Sequence, residues 1–265
     1  MHRIDQVFKR LKAKGEKALI PFITAGDPDL ATTKALALEM AAKGADLLEL
    51  GIPFSDPLAD GPTIQAASNR AVQGGIHLKE VLELAGEIRR ETEIPLILMG
   101  YYNPILQYGL ERTAREAADQ GVDGFIIPDL PPEEAGPWRV AAAKAGVATI
   151  FLAAPTSGAE RIKHMARLTR GFLYYVSVTG ITGARTELPS DLVAALKEVR
   201  SLVKCPLAVG FGISTPEQVR WLAPYVDGIV VGSAIVQRVA KLKGQELIKE
   251  VVEFVASLKT PLRGK

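Results

Sequence analysis

The run DLLELGIPFSDPLADGPTIQ, from Asp46 to Gln65, carries the reading of the fold. It opens on a short apolar strand, Leu47 to Gly51, with apolar side chains next to one another rather than alternating with polar ones. That pattern suits a parallel strand covered on both faces. A loop rich in Pro, Asp and Ser follows. A helix is then expected to start at Pro62, because the fixed φ and missing N–H of proline suit the first helical turn. Strand, loop and helix in that order make one βα unit.

The same unit recurs along the chain. Further strands are expected near Ala18 to Thr24, Leu96 to Met99, Gly124 to Ile127 and Thr149 to Leu152, and near Leu173 to Val176, Leu207 to Val209 and Gly228 to Val231. The gap between the second strand and the one at Leu96 is longer than the others and has room for two helices, one from Pro62 and one over about Leu78 to Arg90. Eight such units with no break in composition predict an α/β fold, a single (β/α)8 barrel over residues 1–265. An open doubly wound sheet is the other arrangement the pattern allows. Apolar residues at Ile4, Val7, Phe8 and Leu11 give an extra helix over Arg3 to Lys14, placed to plug the bottom of a barrel.

Bulk properties narrow the function. The chain has 265 residues, 48% of them hydrophobic, with 32 Lys and Arg against 30 Asp and Glu. The charges are interspersed, without the basic stripe of a nucleic-acid binder. No stretch reaches the ~18 apolar residues of a membrane span, and the first residues lack the apolar run of a secretion signal. A single cysteine, Cys205, excludes a disulfide framework and points to a reducing, cytoplasmic setting.

In a barrel, chemistry sits at the C-terminal ends of the strands. Glu49 lies near the end of the second strand, among apolar residues, where loss of hydration should raise its pKa and suit it to acid–base work near neutral pH. Asp60 follows in the loop. It reads equally well as a helix cap before Pro62 or as a second, better solvated carboxylate that divides the acid and base roles with Glu49. Three glycine-rich loops, TGITGAR (Thr179 to Arg185), GFGIST (Gly210 to Thr215) and VGSAI (Val231 to Ile235), follow the last three strands. Their backbone N–H groups, with the helix start after Gly232 and Ser233, would bind a phosphate. Phe22, Ile64, Tyr101, Tyr174 and Phe211 are candidate apolar walls.

Absences also count. His2, His77 and His164 all lie away from strand ends, no His or Cys cluster has metal-ligand spacing, and no lysine lies within a strand. Lys17, Lys204 and Cys205 all fall on the bottom side. Metal, Schiff-base and thiol chemistry are therefore not expected.

LELGIPFSDPLADGPTIQAA (Leu48 to Ala67) closely resembles the signature of the tryptophan synthase alpha chain family. PFITAGDP (Pro21 to Pro28), GYYNP (Gly100 to Pro104), PDLPPEE (Pro128 to Glu134), TGITG (Thr179 to Gly183) and GFGIS (Gly210 to Ser214) resemble the family too, in its order. The resemblance implies a lyase that cleaves indole-3-glycerol phosphate to indole and glyceraldehyde 3-phosphate by a retro-aldol reaction. It implies no metal or cofactor in this chain.

Residue by residue, the resemblance makes Glu49 the principal acid–base, protonating indole C3 and taking the proton of the adjacent glycerol hydroxyl. Asp60 would meet the indole N–H and stabilise positive charge on the ring. Gly183, Gly212, Gly232 and Ser233 match phosphate-binding positions. Phe22, Ile64, Tyr101, Tyr174 and Phe211 match indole and glycerol contacts, and Thr182 matches a loop residue that orients Asp60. The resemblance further implies a beta chain carrying pyridoxal phosphate, an alpha2beta2 complex, and indole passed between the chains. The loops at Pro53 to Asp56 and Asn103 to Gln107 would lie at that contact. Val178 stands where some relatives have arginine, so a charged latch from that position is absent.

Other phosphate-binding barrels fit less well. A ring-closing synthase would need a strand-end lysine, and a metal-dependent epimerase would need histidine ligands. A purely activating subunit would not need both Glu49 and Asp60. A stand-alone lyase, independent of a beta chain, stays open.

Overall fold

The computed structural model describes residues 2–176, 191–210 and 212–264. Nine parallel strands form one sheet: β1 (Ala18–Thr24), β2 (Leu48–Gly51), β3 (Leu96–Met99), β4 (Gly124–Ile126), β5 (Ala148–Ile150), β6 (Leu152–Ala153), β7 (Leu173–Val176), β8 (Leu207–Gly210) and β9 (Gly228–Val231). Their order is β5-β4-β3-β2-β1-β9-β8-β7-β6. The two outermost strands, β5 and β6, are consecutive in the chain and separated only by Phe151, so the sheet closes on itself as a barrel. The expected fifth strand is thus one run split at Phe151, whose carbonyl still accepts from the Tyr174 N–H at 3.1 Å. The eight expected strands are all present, and the open sheet is excluded by this closure.

Helices surround the sheet: α1 (Arg3–Ala13), α2 (Leu30–Lys43), α3 (Pro62–Gln73), α4 (Leu78–Arg89), α5 (Tyr102–Tyr108), α6 (Leu110–Asp119), α7 (Gly136–Ala145), α8 (Ala159–Leu168), α9 (Leu192–Leu202), α10 (Pro216–Leu222), α11 (Ser233–Lys241) and α12 (Gly244–Lys259). Both helices expected between β2 and β3 are there. Pro62 occupies the first turn of α3, and Gly61 precedes it as the N-cap.

Alternation along the strands divides the apolar residues between two cores. Leu19 and Ile23 of β1 face the helices, with Leu48, Leu50, Leu96 and Leu98. Ala18, Ile20 and Phe22 face the barrel axis, with Ile97, Met99, Ile126, Tyr174 and Val230. Ile4, Val7, Phe8 and Leu11 of α1 join this inner core from below. The Phe8 and Phe172 rings lie 5.6 Å apart. Arg3 pairs with Glu93 at 2.8 Å and Asp123 at 3.3 Å. α1 therefore closes the bottom, as its apolar stripe implies, and leaves the top free for a ligand.

The bottom rim repeats one device on alternate barrel strands. Asp46 Oδ2 accepts from the Leu19 N–H at 2.8 Å. Asp123 Oδ2 accepts from the Leu96 N–H at 2.9 Å, and Asp227 Oδ2 from the Leu207 N–H at 2.9 Å. In the fourth place, Thr169 Oγ1 accepts from the Phe151 N–H at 3.2 Å. Lys259, Arg89 and Arg200 neutralise the three aspartates in turn. Each side chain precedes one strand and accepts from a backbone N–H of the neighbouring strand run, a charge-assisted bond where the acceptor is Asp.

Candidate active site

β2 is the strand that carries the first candidate. Glu49 pairs in register with Phe22 of β1 and Ile97 of β3, on the face of β2 turned toward the barrel axis. It is 1% exposed, and its Oε2 has no hydrogen-bond partner. Burial, and second the charge of Asp60, push its pKa up to about 8. At neutral pH this carboxyl group holds its proton.

Asp60 comes from the loop between β2 and α3. Its side chain does not cap α3; instead Tyr101 Oη donates to Asp60 Oδ2 at 2.9 Å, and Gly61 takes the cap position. Burial raises the Asp60 pKa to about 6, against the lowering effect of the Tyr101 bond. Asp60 is therefore ionised at neutral pH while Glu49 is not. The two carboxyl groups divide into acid and anion because Glu49 is buried beside the charge of Asp60, while Tyr101 donates to Asp60 and partly offsets its burial.

The loop itself is held by α3. Ser68 Oγ accepts from the Phe54 N–H and donates to the Phe54 carbonyl, both at 2.8 Å. Gln65 Nε2 donates to the Asp60 carbonyl at 2.8 Å. Tyr101 Oη also accepts from the Ala59 N–H at 3.0 Å, and its ring packs on Phe54 at 5.4 Å.

Phe22, Glu49, Asp60, Ile64, Tyr174, Gly212, Gly232 and Ser233 line one cavity. Three of these eight candidates come from strands and five from loops or helix starts. Burial, then the charges of Glu49 and Asp60, hold the Tyr174 hydroxyl well above its ordinary pKa, so it stays a neutral donor. After β9 and β8, α11 starts at Ser233 and Gly212 has φ +77°, a conformation glycine adopts readily. Tyr101 lines an adjoining recess instead. Thr182, Gly183, Phe211 and Val178 lie outside the described residues. Met99, Ile213 and Val230 also line the cavity; they read as ordinary core in the sequence, and only inward alternation on β3 and β9 singles out Met99 and Val230. Among the described residues no group of three or more His, Cys, Asp or Glu is placed to hold a metal ion.

A family model described as tryptophan synthase alpha chain matches residues 8–262. The chain belongs to the tryptophan synthase alpha chain family.

Similar members include the alpha chain of Citrifermentans bemidjiense, 53% identical over 259 residues, covering 98% of this chain and 97% of that one. That of Thermoanaerobacter pseudethanolicus is 49% identical over 263 residues, covering 99% and 100%. Among solved structures, tryptophan synthase subunit alpha from Legionella pneumophila str. Paris superposes with TM-score 0.91 at 40% identity, covering 99% of this chain and 98% of that one. A tryptophan synthase structure from Mycobacterium tuberculosis does so with TM-score 0.90 at 34% identity, covering 100% and 99%. The nine-stranded, nearly closed barrel described above is thus the tryptophan synthase alpha fold.

Proposed function

We propose that this chain is a lyase that cleaves indole-3-glycerol phosphate to indole and glyceraldehyde 3-phosphate, as the alpha subunit of a tryptophan synthase acting in tryptophan biosynthesis. The observation that carries the reading is Glu49: a buried, protonated carboxyl group whose Oε2 has no partner, lining the same cavity as an ionised Asp60.

The chemistry follows from those protonation states. Glu49 gives its proton to indole C3, and positive charge spreads onto the ring. Asp60 accepts from the indole N–H and stabilises that charge, held in place by Tyr101. The Glu49 carboxylate then takes the proton of the glycerol hydroxyl next to C3. The C–C bond breaks, its electron pair returns to the ring, and the hydroxyl carbon becomes the aldehyde. Glu49 ends protonated, ready for another turnover. The apolar walls, Phe22, Ile64 and Tyr174, exclude water, which strengthens each of these interactions.

The phosphate would sit on the Gly212 loop and the start of α11 at Gly232 and Ser233, where backbone N–H groups and the helix dipole favour an anion. Gly183, Phe211 and Thr182 complete the proposed set. Residues 1–265 act as one barrel domain in this reading.

A beta chain is the expected partner. Leu58 and Leu106 are 83% and 47% exposed; Leu58 lies beside the loop at Pro53 to Asp56, and Leu106 lies in α5, a helix where the sequence reading places a loop over Asn103 to Gln107. Large apolar side chains at the mouth favour a partnered subunit over a stand-alone lyase. An alpha2beta2 complex, with pyridoxal phosphate on the beta chain, and a cytoplasmic setting belong to the same proposal. Among the described residues no helix is long and apolar enough to cross a membrane. The test is indole release from indole-3-glycerol phosphate by the purified chain, with and without a beta chain.

A further inference from the structure

We propose that the recess at the mouths of β1, β2 and β3 is a subsite for a small polar substituent on the six-membered ring of the indole, recognised by the Thr24 hydroxyl. This rests on the reading of the main cavity as the indole-3-glycerol phosphate site.

The recess, about 20 Å³, shares Phe22, Asp60, Ile64 and Met99 with the main cavity and adds Thr24, Gly51, Ser68, Gly100 and Tyr101. Gly212, Gly232 and Ser233 do not line it, so it opens from the Asp60 end, away from the proposed phosphate anchor. A substrate with its phosphate on α11 and its ring N–H on Asp60 directs its six-membered ring toward this side. The Phe22 ring and the Ile52 side chain lie where a Cβ on Gly51 or Gly100 would stand, so the recess is tight and suits a substituent no larger than a hydroxyl.

Thr24 continues the inward series of Ala18, Ile20 and Phe22 on β1 and sits beside Gly51, one residue layer above Phe22. It is 3% exposed, and its Oγ1 has no hydrogen-bond partner. Other buried hydroxyls here are satisfied: Thr33 Oγ1 donates to the Asp29 carbonyl, and Thr169 Oγ1 to the Phe172 carbonyl. Within the recess Ser68 is engaged by Phe54 and Tyr101 by Asp60. A buried hydroxyl left unpaired costs free energy unless a ligand completes it. Valine would fill the same volume without that cost, so the hydroxyl marks a place where a polar atom is received.

Equilibrium dialysis of the full chain tests this, using indole, the hydroxyindoles substituted at each free carbon of the six-membered ring, and the matching methylindoles. The wild type should bind at least one hydroxyindole about fivefold more tightly than its methyl counterpart. Thr24→Val should remove or reverse that preference, and Thr24→Ser should retain it. The same preference in wild type and Thr24→Val would overturn the subsite while leaving the indole reading intact. Failure of indole itself to bind would overturn both.

Discussion

Tyr101 Oη donates a 2.9 Å hydrogen bond to Asp60 Oδ2, and that bond lowers the pKa of a carboxylate that burial raises. Tyr101→Phe removes the one effect that lowers the Asp60 pKa. The acidic limb of the kcat/KM profile should then move above its wild-type position near pH 6, with the alkaline limb little changed. A pH–rate series for both proteins checks it; an unmoved acidic limb would show that Tyr101 does not govern Asp60.

Asp60→Asn should lower kcat on the order of 100-fold, because it removes the charge opposite the developing cation. It should also bring the alkaline limb below about 8. The Asp60 charge helps raise the Glu49 pKa, so removing it lets Glu49 lose its proton at lower pH. The wild-type profile should be bell-shaped between about 6 and 8, values that belong to the coupled pair.

Glu49→Gln should stabilise the fold at alkaline pH. The Glu49 pKa is raised in the folded chain to about 8, against ~4.3 unfolded. Its contribution is fully favourable below the unfolded value and is lost as pH rises through the folded one. At pH 9 the variant should exceed wild type by a few kcal/mol, and at pH 5 the difference should largely vanish. Thermal melts at both values measure it, and equal differences at both would contradict burial of the charge.

Much of this was legible in the sequence, for a physical reason. Parallel strands buried on both faces leave unbroken apolar runs, so Leu47–Gly51 and its counterparts stand out. The break at Phe151 does not, because Thr149 to Leu152 reads as one such run. Glu49 was conspicuous as a carboxylate among apolar neighbours. The role of Tyr101 was hidden, since nothing local joins residues 60 and 101, and Thr24 looked like one more β-branched strand residue. The bottom aspartates recur as GAD, GVD and YVD at Asp46, Asp123 and Asp227, yet their bonds reach across to a neighbouring strand and leave no local trace.

Asp123→Ala should destabilise the chain by about 3 kcal/mol, since it leaves the buried Leu96 N–H without its acceptor and Arg89 without its nearest carboxylate. Urea titration followed by fluorescence suits the test. Trp138 is fully buried against Phe125 of β4 at 4.9 Å, so its emission reports unfolding on that side of the barrel.

Leu106→Asp should weaken beta-chain binding about tenfold or more, because it puts a charge into an apolar contact. Calorimetric titration with a beta chain reads the affinity directly. An unchanged affinity would place the partner elsewhere on the surface.

The central claim is that Glu49 moves the proton that breaks the substrate. Indole released from indole-3-glycerol phosphate, measured for wild type and Glu49→Gln with a beta chain present, tests it most directly. The account predicts steady indole release by the wild type and a loss of about 1,000-fold or more in the variant, with binding of glycerol phosphate retained. Normal turnover by Glu49→Gln, or no indole from the wild type, would contradict it.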